Sequence, residues 1–399
     1  MDTVASAELH FTNAALVLAD TVAERAALSV HGATIAAVEP EHTGAGAIDC
    51  AGDYLMPGIV DVHTDHFEKH MYPRKHVRWE ALPAALAHDA QMIGAGATTA
   101  FASLTVGTAI GDPDRASILG PMIDAIDAGS AAGMFRAEHL IHLRLETSDP
   151  ATVGLLKENL DRPTARAASL MDHNRPLVQV ISLMDHTPGE KQNRDIEAFI
   201  VRRMAAWGKT RADVEAEIAE ARARPADTVR RVRHEVANLL APRGVAMMSH
   251  DDATRTHIDE AVAEGVSVAE FPVTLEAARA ARAAGMDIVA GAPNILRGGS
   301  QSGNVAVSDL LRENLVDILA SDYVPRSILD AVFQVASDPE LPFSLPQTVA
   351  MATFHPARAM GLSDRGALAH GQRADLLRVG VIDGQPFLRG AWRAGTRVY

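Results

Sequence analysis

The sequence contains a single cysteine, Cys50, among its 399 residues. An intrachain disulfide is therefore excluded, and a reducing compartment is the natural expectation. Residues 1–6 lack the basic and apolar regions of a secretion signal, and no apolar run approaches the length of a membrane span. These absences predict a cytoplasmic protein that has no membrane partner.

Positive charge is also scarce, since 37 Lys and Arg residues face 51 Asp and Glu residues and leave a net charge of -14. General nucleic-acid binding needs a basic face, so we expect no nucleic-acid partner. Clustered cations can still bind a small anionic ligand within an acidic protein. At 47% hydrophobic residues, the chain can bury a large core in one big domain or two.

A glycine-rich nucleotide-binding loop is missing as well, because no G-X-G-X-X-G string follows the first buried run. From residue 58 to about 354, apolar runs alternate with Ala-rich helical stretches, which is typical of a parallel sheet with crossover helices. The predicted strands are Ile59–Thr64, Ala97–Leu104, Leu140–Leu145, Val178–Met184, Val245–Ser249, Val266–Phe271, Asp287–Ala290 and Val316–Ala320. Eight such strands favour an α/β fold of the (β/α)₈ TIM-like barrel type. An open doubly wound sheet is the alternative, and its nucleotide-binding version needs the missing loop.

The two ends of the chain have a different pattern, with short runs of alternating polar and apolar residues that predict strands. We predict that residues 1–57 and 355–399 form a small β-sandwich built from both termini, beside a barrel of residues 58–354. A helical insert at about 190–242 separates the fourth and fifth barrel strands. Its charged helices favour a solvent-facing scaffold or an oligomer contact, and a lid over the substrate is the alternative.

Five of the predicted strands end in His, Asp or Glu. His63 and Asp65 lie two residues apart, so their side chains project to the same side of a strand. Barrels gather their active sites at the C-terminal ends of the strands, and polar groups near a core are costly unless paired or metal-bound. We therefore predict a divalent metal centre, Zn²⁺ or alternatively Mn²⁺, with one or two ions per subunit. The predicted ligands are His63, Asp65, Glu146, His186, His250 and Asp322. Asp322 is also the predicted base that accepts a proton from the attacking water.

Two loops at the same face carry positive charge or glycine. The first follows the first strand and contains Lys69, His70, Arg74 and Arg78. The second follows the seventh strand and reads Arg297-Gly298-Gly299-Ser300, near where barrels frequently bind phosphate. Glycines let backbone N–H groups approach anionic oxygens, and an arginine adds a bidentate contact. Either loop alone could be an ordinary solvated segment, but both around one metal centre favour a phosphorylated substrate.

Several strings resemble the amidohydrolase superfamily. They are Pro57–His63, Gly96-Ala97-Thr98-Thr99, the late Asp322, His355–Leu362 and Gly371–Leu376. The resemblance implies a metal-dependent hydrolase barrel with a β-sandwich made from both termini. Many members with two metals bridge them by a carboxylated lysine, but no lysine ends a predicted strand here. Glu146 is therefore the candidate bridging ligand.

A narrower resemblance is to one subgroup, the alpha-D-ribose 1-methylphosphonate 5-triphosphate diphosphatases of the carbon–phosphorus lyase pathway. It is carried by His63-Thr64-Asp65, Ser182–Gly189, Ser249–Asp252 and residues 291–300, which include Asn294. It implies that a phosphorylated ribose phosphonate is the substrate, that diphosphate is released and the 5-phosphate remains, and that Asn294 contacts substrate.

Two other functional readings stay open at this point. One is hydrolysis of a cyclic amide or amine, and the other is a non-catalytic scaffold that docks through the helical insert. A homodimer is the expected assembly, because two-fold assemblies are the commonest.

Overall fold

The computed structural model describes residues 8–39, 46–74, 77–108, 115–160, 177–300 and 302–399. The strands in these ranges are β1 Glu8–Val17, β2 Val22–His31, β3 Thr34–Glu39, β4 Ile48–Asp49, β5 Tyr54–Pro57, β6 Ile59–Thr64, β7 Ala97–Val106, β8 Glu138–Glu146, β9 Val178–Met184, β10 Ala246–His250, β11 Val268–Glu270, β12 Asp287–Gly291, β13 Ile318–Ala320, β14 Leu376–Ile382, β15 Gln385–Arg393 and β16 Thr396–Arg397. The helices are α1 His66–Met71, α2 Ala81–Gly94, α3 Arg115–Ala131, α4 Thr152–Leu160, α5 Ile196–Trp207, α6 Arg211–Arg222, α7 Thr228–Leu240, α8 Arg255–Ala263, α9 Leu275–Ala283, α10 Ala292–Arg297, α11 Val307–Arg312, α12 Ser327–Ser337, α13 Leu345–Ala352 and α14 Phe354–Ala359. Within these ranges no helix combines the length and the apolar character that crossing a bilayer requires.

Strands β6 to β13 form an eight-stranded parallel sheet in which sequence neighbours are also spatial neighbours. The sheet closes where Thr64 bridges to Asp322 in parallel. The Asp322 amide donates to the His63 carbonyl at 2.9 Å, and the Asp65 amide donates to the Asp322 carbonyl at 2.8 Å. The predicted barrel is confirmed. Because three predicted site residues make the closing bonds, barrel closure fixes their backbones relative to one another.

The sixth barrel strand is shorter than predicted. The expected range began at Val266, but the Val266 amide donates to the Ala261 carbonyl at the end of α8, so Val266 belongs to the turn after that helix. At the other end, Phe271 has a φ of 53°, in the left-handed region that ends an extended strand. Strand β11 therefore covers only Val268–Glu270 and places Glu270 at the mouth of the barrel.

Strands from both ends of the chain share a second sheet, in the order β16-β15-β14-β5-β1-β2-β3, with β4 beside β1. The rings of Phe11 in β1 and Trp392 in β15 lie 4.8 Å apart, centroid to centroid. Two strands intervene, so in a flat sheet these strands would be about 14 Å apart. The sheet therefore folds over on itself around an apolar interior, as the predicted small β-domain requires.

The predicted helical insert lies between β9 and β10 and contains α5, α6 and α7. Helix α5 begins at Ile196, because the Asp195 carboxylate accepts from the Ala198 amide and caps the helix. Ile200, Val214 and Ile218 form a small core of the insert's own. Exposed ion pairs such as Arg211–Glu197 cover its outer face.

A buried ion network joins the C-terminal segment to the base of the barrel. Glu138, at the start of β8, accepts from Arg365 at 2.6 Å and also from Arg373. Arg373 binds Asp375 as well, and both arginines donate to Thr99 Oγ1. All of these side chains are buried. The network therefore ties the chain after the barrel to strands β7 and β8.

Arg373→Met is expected to lower the free energy of unfolding by about 3 kcal/mol, because two buried carboxylates would lose a guanidinium. Urea denaturation followed by circular dichroism measures the change. Arg389→Met is the matched control, since Arg389 pairs with Asp53 while 45% of its side chain is exposed, and it should cost less than about 1 kcal/mol. Equal losses in the two variants would contradict a stabilising role for the network.

Candidate metal centre and active site

Three histidines at the C-terminal ends of barrel strands share one arrangement, in which Nδ1 bonds to a buried carboxylate. His63 and His250 donate from Nδ1 to the two oxygens of Glu270, at 2.6 and 2.5 Å. His186 donates from Nδ1 to Glu146 Oε2 at 2.9 Å. Such a partner fixes the proton on Nδ1 and leaves the lone pair on Nε2, as is usual for metal-binding histidines. The three histidines are thus candidate nitrogen ligands with fixed ring orientations.

The Nε2 atoms belong to two adjacent clusters. The first combines His63, Asp65 and Asp322, whose ligand atoms all lie within 4.8 Å of one another. The second combines His186, His250 and Asp251 within the same limit. The rings of His63 and His250 stack with centroids 5.9 Å apart, so the clusters share a border. Two neighbouring ions, one per cluster, are compatible with this geometry.

The electrostatics of the clusters fit a cation. His63 Nε2 and Asp251 Oδ2 are buried, and neither makes a well-formed hydrogen bond within the described ranges. Burial disfavours the charged form of His63, but the Glu270 and Asp65 carboxylates together outweigh it and raise the pKa of His63 to about 10. Positive charge is therefore favoured here, whether a proton or a metal ion supplies it. The mixed nitrogen and oxygen ligands suit a divalent metal such as Zn²⁺.

Asp322 lies at the border of the first cluster with its side chain partly exposed. Partial burial and the negative charge of Asp65 raise the pKa of Asp322 to about 6. Asp65 itself forms an ion pair with Arg144, at 2.6 Å from the guanidinium to Oδ1. A carboxylate with a raised pKa beside a metal-competent cluster has the properties of a general base.

A cleft opens beside both clusters. It is lined by Asp251, Asp322, Tyr323, Gly291, Asn294, Gly299 and Ser300, among other residues. Two cations converge on Tyr323, the residue after Asp322. Lys69 Nζ donates to the Tyr323 carbonyl at 3.0 Å, and Arg297 donates to the Tyr323 hydroxyl at 3.5 Å. Two positively charged side chains therefore contact Tyr323, which lines the cleft together with Asp322.

A model of the amidohydrolase family matches residues 54–396. The chain belongs to the amidohydrolase family. It is 38% identical over 387 residues, 97% of this chain and 99% of the relative, to alpha-D-ribose 1-methylphosphonate 5-triphosphate diphosphatase of Escherichia coli strain K12. N-acetyl-D-glucosamine-6-phosphate deacetylase from Mycobacterium smegmatis shares the fold with a TM-score of 0.61 at 15% identity, over 98% of this chain and 100% of that one. The corresponding Pasteurella multocida deacetylase has a TM-score of 0.59 at 14% identity, over 98% and 99% of the two chains.

Glu146 holds a different place in this amidohydrolase from the one predicted. Its Oε1 accepts from the Ser148 hydroxyl at 2.6 Å, and its Oε2 accepts from His186. Although burial opposes it, the His186 and Ser148 donors keep the pKa of Glu146 below its usual range. The Glu146 carboxylate therefore bonds to Nδ1 of the His186 ring, and Glu146 belongs to neither of the two clusters.

Asp251 and Glu270 are the members of the site that the sequence pattern did not single out. Asp251 follows β10 in a left-handed conformation, with a φ of 56°, and Asp322 has a φ of 52°. Non-glycine residues seldom adopt this conformation, and at strand ends it changes the direction of the side chain. Glu270 lies in an otherwise apolar run. A carboxylate within a predicted buried strand could have identified Glu270 as a site residue, because a buried charge needs a partner.

The loop residues divide into two groups. Asn294, Gly299 and Ser300 line the cleft, and Gly298 ends α10 with a φ of 71°. Asn294 bonds to the backbone of Val305 and Val307, so it holds the loop that follows α10.

The other predicted phosphate ligands lie elsewhere. Arg78 donates to Ser117 Oγ at 3.2 Å, and His70 pairs with Gln91 at 3.1 Å. Arg74 is exposed and pairs through its backbone with Val77. The structure does not bring these three residues to the cleft.

Proposed function

We propose that this amidohydrolase releases diphosphate from alpha-D-ribose 1-methylphosphonate 5-triphosphate and leaves the 5-phosphate. The relative that is 38% identical over 97% of the chain carries this activity in its name. The observation in the structure that supports it most is the convergence of Lys69 and Arg297 on Tyr323, one residue after Asp322. An uncharged amide has no need of two cations at this place, whereas a departing diphosphate does.

The two clusters supply the ligands for the metal. In the proposal His63, Asp65 and Asp322 hold one ion, and His186, His250 and Asp251 hold a second. Bound divalent ions would lower the pKa of water and neutralise charge on phosphoryl oxygens. Glu270 and Glu146 are positioning residues, because they hold the histidine rings through Nδ1. Glu146 takes this role in the proposal in place of bridging.

The chain's own groups account for the remaining steps. Asp322 accepts the proton of the water that attacks the phosphorus nearest the ribose. The bond from that phosphorus to the bridging oxygen breaks, and its electrons leave with the diphosphate. Lys69 and Arg297 stabilise the charge that develops on this leaving group. Arg144 keeps Asp65 fixed while the charge shifts.

Replacing Arg297 by Met is expected to lower kcat/KM for the triphosphate about 10- to 100-fold, because a hydrogen bond to a charged group contributes about 1.5–3 kcal/mol. Lys69→Met should act in the same direction. Steady-state diphosphate release measures both variants. Arg279→Met is the control, since Arg279 pairs with Glu313 on the exposed surface. A kcat/KM within twofold of the wild type in both variants would remove these residues from the binding of the leaving group.

A parallel assay with three substrate classes tests the proposed reaction against amide hydrolysis. The metal-loaded protein would be offered the ribose triphosphate, hydantoins and N-acyl amino acids at equal concentration. The proposal predicts turnover of the triphosphate alone. Hydrolysis of an amide without any release of phosphate would overturn it.

A further inference from the structure

A group of three histidines lies outside the two active-site clusters, between α1 and α2. His66 and His70 are four residues apart on α1 and so share one face of that helix. His88 comes from α2, and one ligand nitrogen of each residue lies within 4.8 Å of the other two. Their ring centroids are 5.2 Å apart for His66 and His70, and 6.2 Å apart for His70 and His88.

His88 is the unusual member of this group. Its exposure is 1%, and neither of its ring nitrogens has a hydrogen-bond partner in the part of the chain that the structure describes. Nδ1 of His66 is also buried and has no hydrogen-bond partner among the residues that the structure describes. Leaving a buried polar atom without a partner costs about 1–3 kcal/mol. A ligand between the three rings would remove this cost.

The surroundings of His88 favour the neutral imidazole and fix the plane of its ring, and both properties suit a metal ligand. Burial, with the nearby His139, holds the pKa of His88 well below its usual range, so the ring is neutral. A neutral imidazole carries the lone pair that a metal ion needs and has no proton to release. Phe67 stacks on the ring with centroids 5.6 Å apart and an interplanar angle of 11°, which fixes its plane.

The donor set indicates the ion. The three nitrogens lie within 4.8 Å of one another, so one point between them is no more than about 2.8 Å from each. A Zn–N bond is about 2.0–2.1 Å long. Movements of the three rings by less than about 1 Å would therefore bring all three nitrogens to bonding distance of one Zn²⁺ ion. The group offers no carboxylate, which disfavours Mg²⁺ and Ca²⁺. Gln91 bonds to His70 Nε2 at 3.1 Å, the kind of outer contact that orients a metal-binding histidine.

We propose that His66, His70 and His88 form a separate metal site that binds one Zn²⁺ ion and joins α1 to α2. The site is distinct from the catalytic clusters in every ligand. Helix α1 begins immediately after Asp65 and carries Lys69. An ion here therefore fixes the helix that leads out of the active site.

Zinc content tests this site directly. The purified full-length protein would be equilibrated with Zn²⁺, freed of excess metal and analysed by inductively coupled plasma mass spectrometry. His70→Gln should bind one zinc equivalent per chain fewer than His370→Gln, a control at an exposed position. His70 is only partly buried, so its substitution should be tolerated, and His66→Gln serves as the second variant if it is not.

A combined variant separates this site from the catalytic clusters. His186→Gln/His250→Gln removes ligands of one cluster, and adding His70→Gln should lose a further equivalent. The rise in Tm that Zn²⁺ gives the His186→Gln/His250→Gln protein should shrink when His70→Gln is added. Equal zinc content in His70→Gln, His66→Gln and the control would overturn the proposal. So would the absence of any further loss in the combined variant.

Discussion

Asp322→Asn is expected to lower kcat about 10³-fold, within the range that a positioned general base contributes. A carboxamide has the same shape but cannot accept the proton of the attacking water. Asp322 closes the barrel through its backbone N–H and C=O, so the fold should survive the change. Diphosphate release and circular dichroism measure the two effects.

Metal content must be measured on the same Asp322→Asn sample, because Asp322 also belongs to the first cluster. Asp185→Asn is the matched control. Asp185 also follows a barrel strand, but its carboxylate accepts from the Thr187 amide at 3.0 Å and joins neither cluster. Its activity should stay within about threefold of the wild type, because its carboxylate holds no proposed metal ion and an asparagine oxygen can still accept from the Thr187 amide. Wild-type turnover by Asp322→Asn with full metal content would show that Asp322 is not the base.

Glu270→Gln is expected to weaken binding of the active-site metal 10- to 100-fold, the usual range for loss of a partner behind a ligand. The two Glu270 oxygens accept from His63 and His250 at once. A glutamine has one oxygen and one NH₂ group, so it can accept from only one of the two rings. The other ring must give up its proton at Nδ1, and the proton then occupies the Nε2 that faces the cluster.

Glu146→Gln is the informative comparison, because the same chemical change should do less there. Glu146 receives only one histidine ring, and its second oxygen accepts from the Ser148 hydroxyl at 2.6 Å and from the Ser148 and His186 amides at 3.3 Å each. Of these three donors to the second oxygen, the hydroxyl can also accept. A glutamine can therefore keep its oxygen on the His186 ring and donate to the Ser148 hydroxyl, so the ring keeps its Nδ1 proton although the two longer amide contacts are lost. Zinc titration against a competing chelator gives both affinities. Equal losses in Glu270→Gln and Glu146→Gln would contradict the proposed arrangement of protons.

The barrel could be predicted from the sequence because its signal is local. Each apolar run predicts its own strand. His63, His186, His250 and Asp322 could be predicted as candidate ligands because they lie at the ends of these strands. Barrel closure then brings strands one and eight together, which no local pattern states but which follows once eight strands are counted.

The rest depends on relations between segments that are distant in sequence. Glu270 matters because β11 lies beside β10, so that its carboxylate reaches two histidines on different strands. Asp251 enters its cluster through a left-handed turn that its sequence does not require. Lys69 and Arg78 were predicted to lie in one basic loop, but Lys69 lies on α1 and bonds to Tyr323, while Arg78 bonds to Ser117. Ser117 belongs to α3, and the charge pattern of the sequence does not predict this contact between distant segments.

The measurement that tests the central claim most directly is phosphorus NMR of the purified, metal-loaded protein with a ribose 5-triphosphate that carries a 1-phosphonate. We predict that diphosphate and the matching 5-monophosphate appear in equal amounts, and that their signals are absent in Asp322→Asn. Release of orthophosphate instead would mean that the wrong phosphorus has been assigned. An unchanged spectrum, together with turnover of an amide, would contradict the proposed function and leave the metal-binding barrel to another reaction.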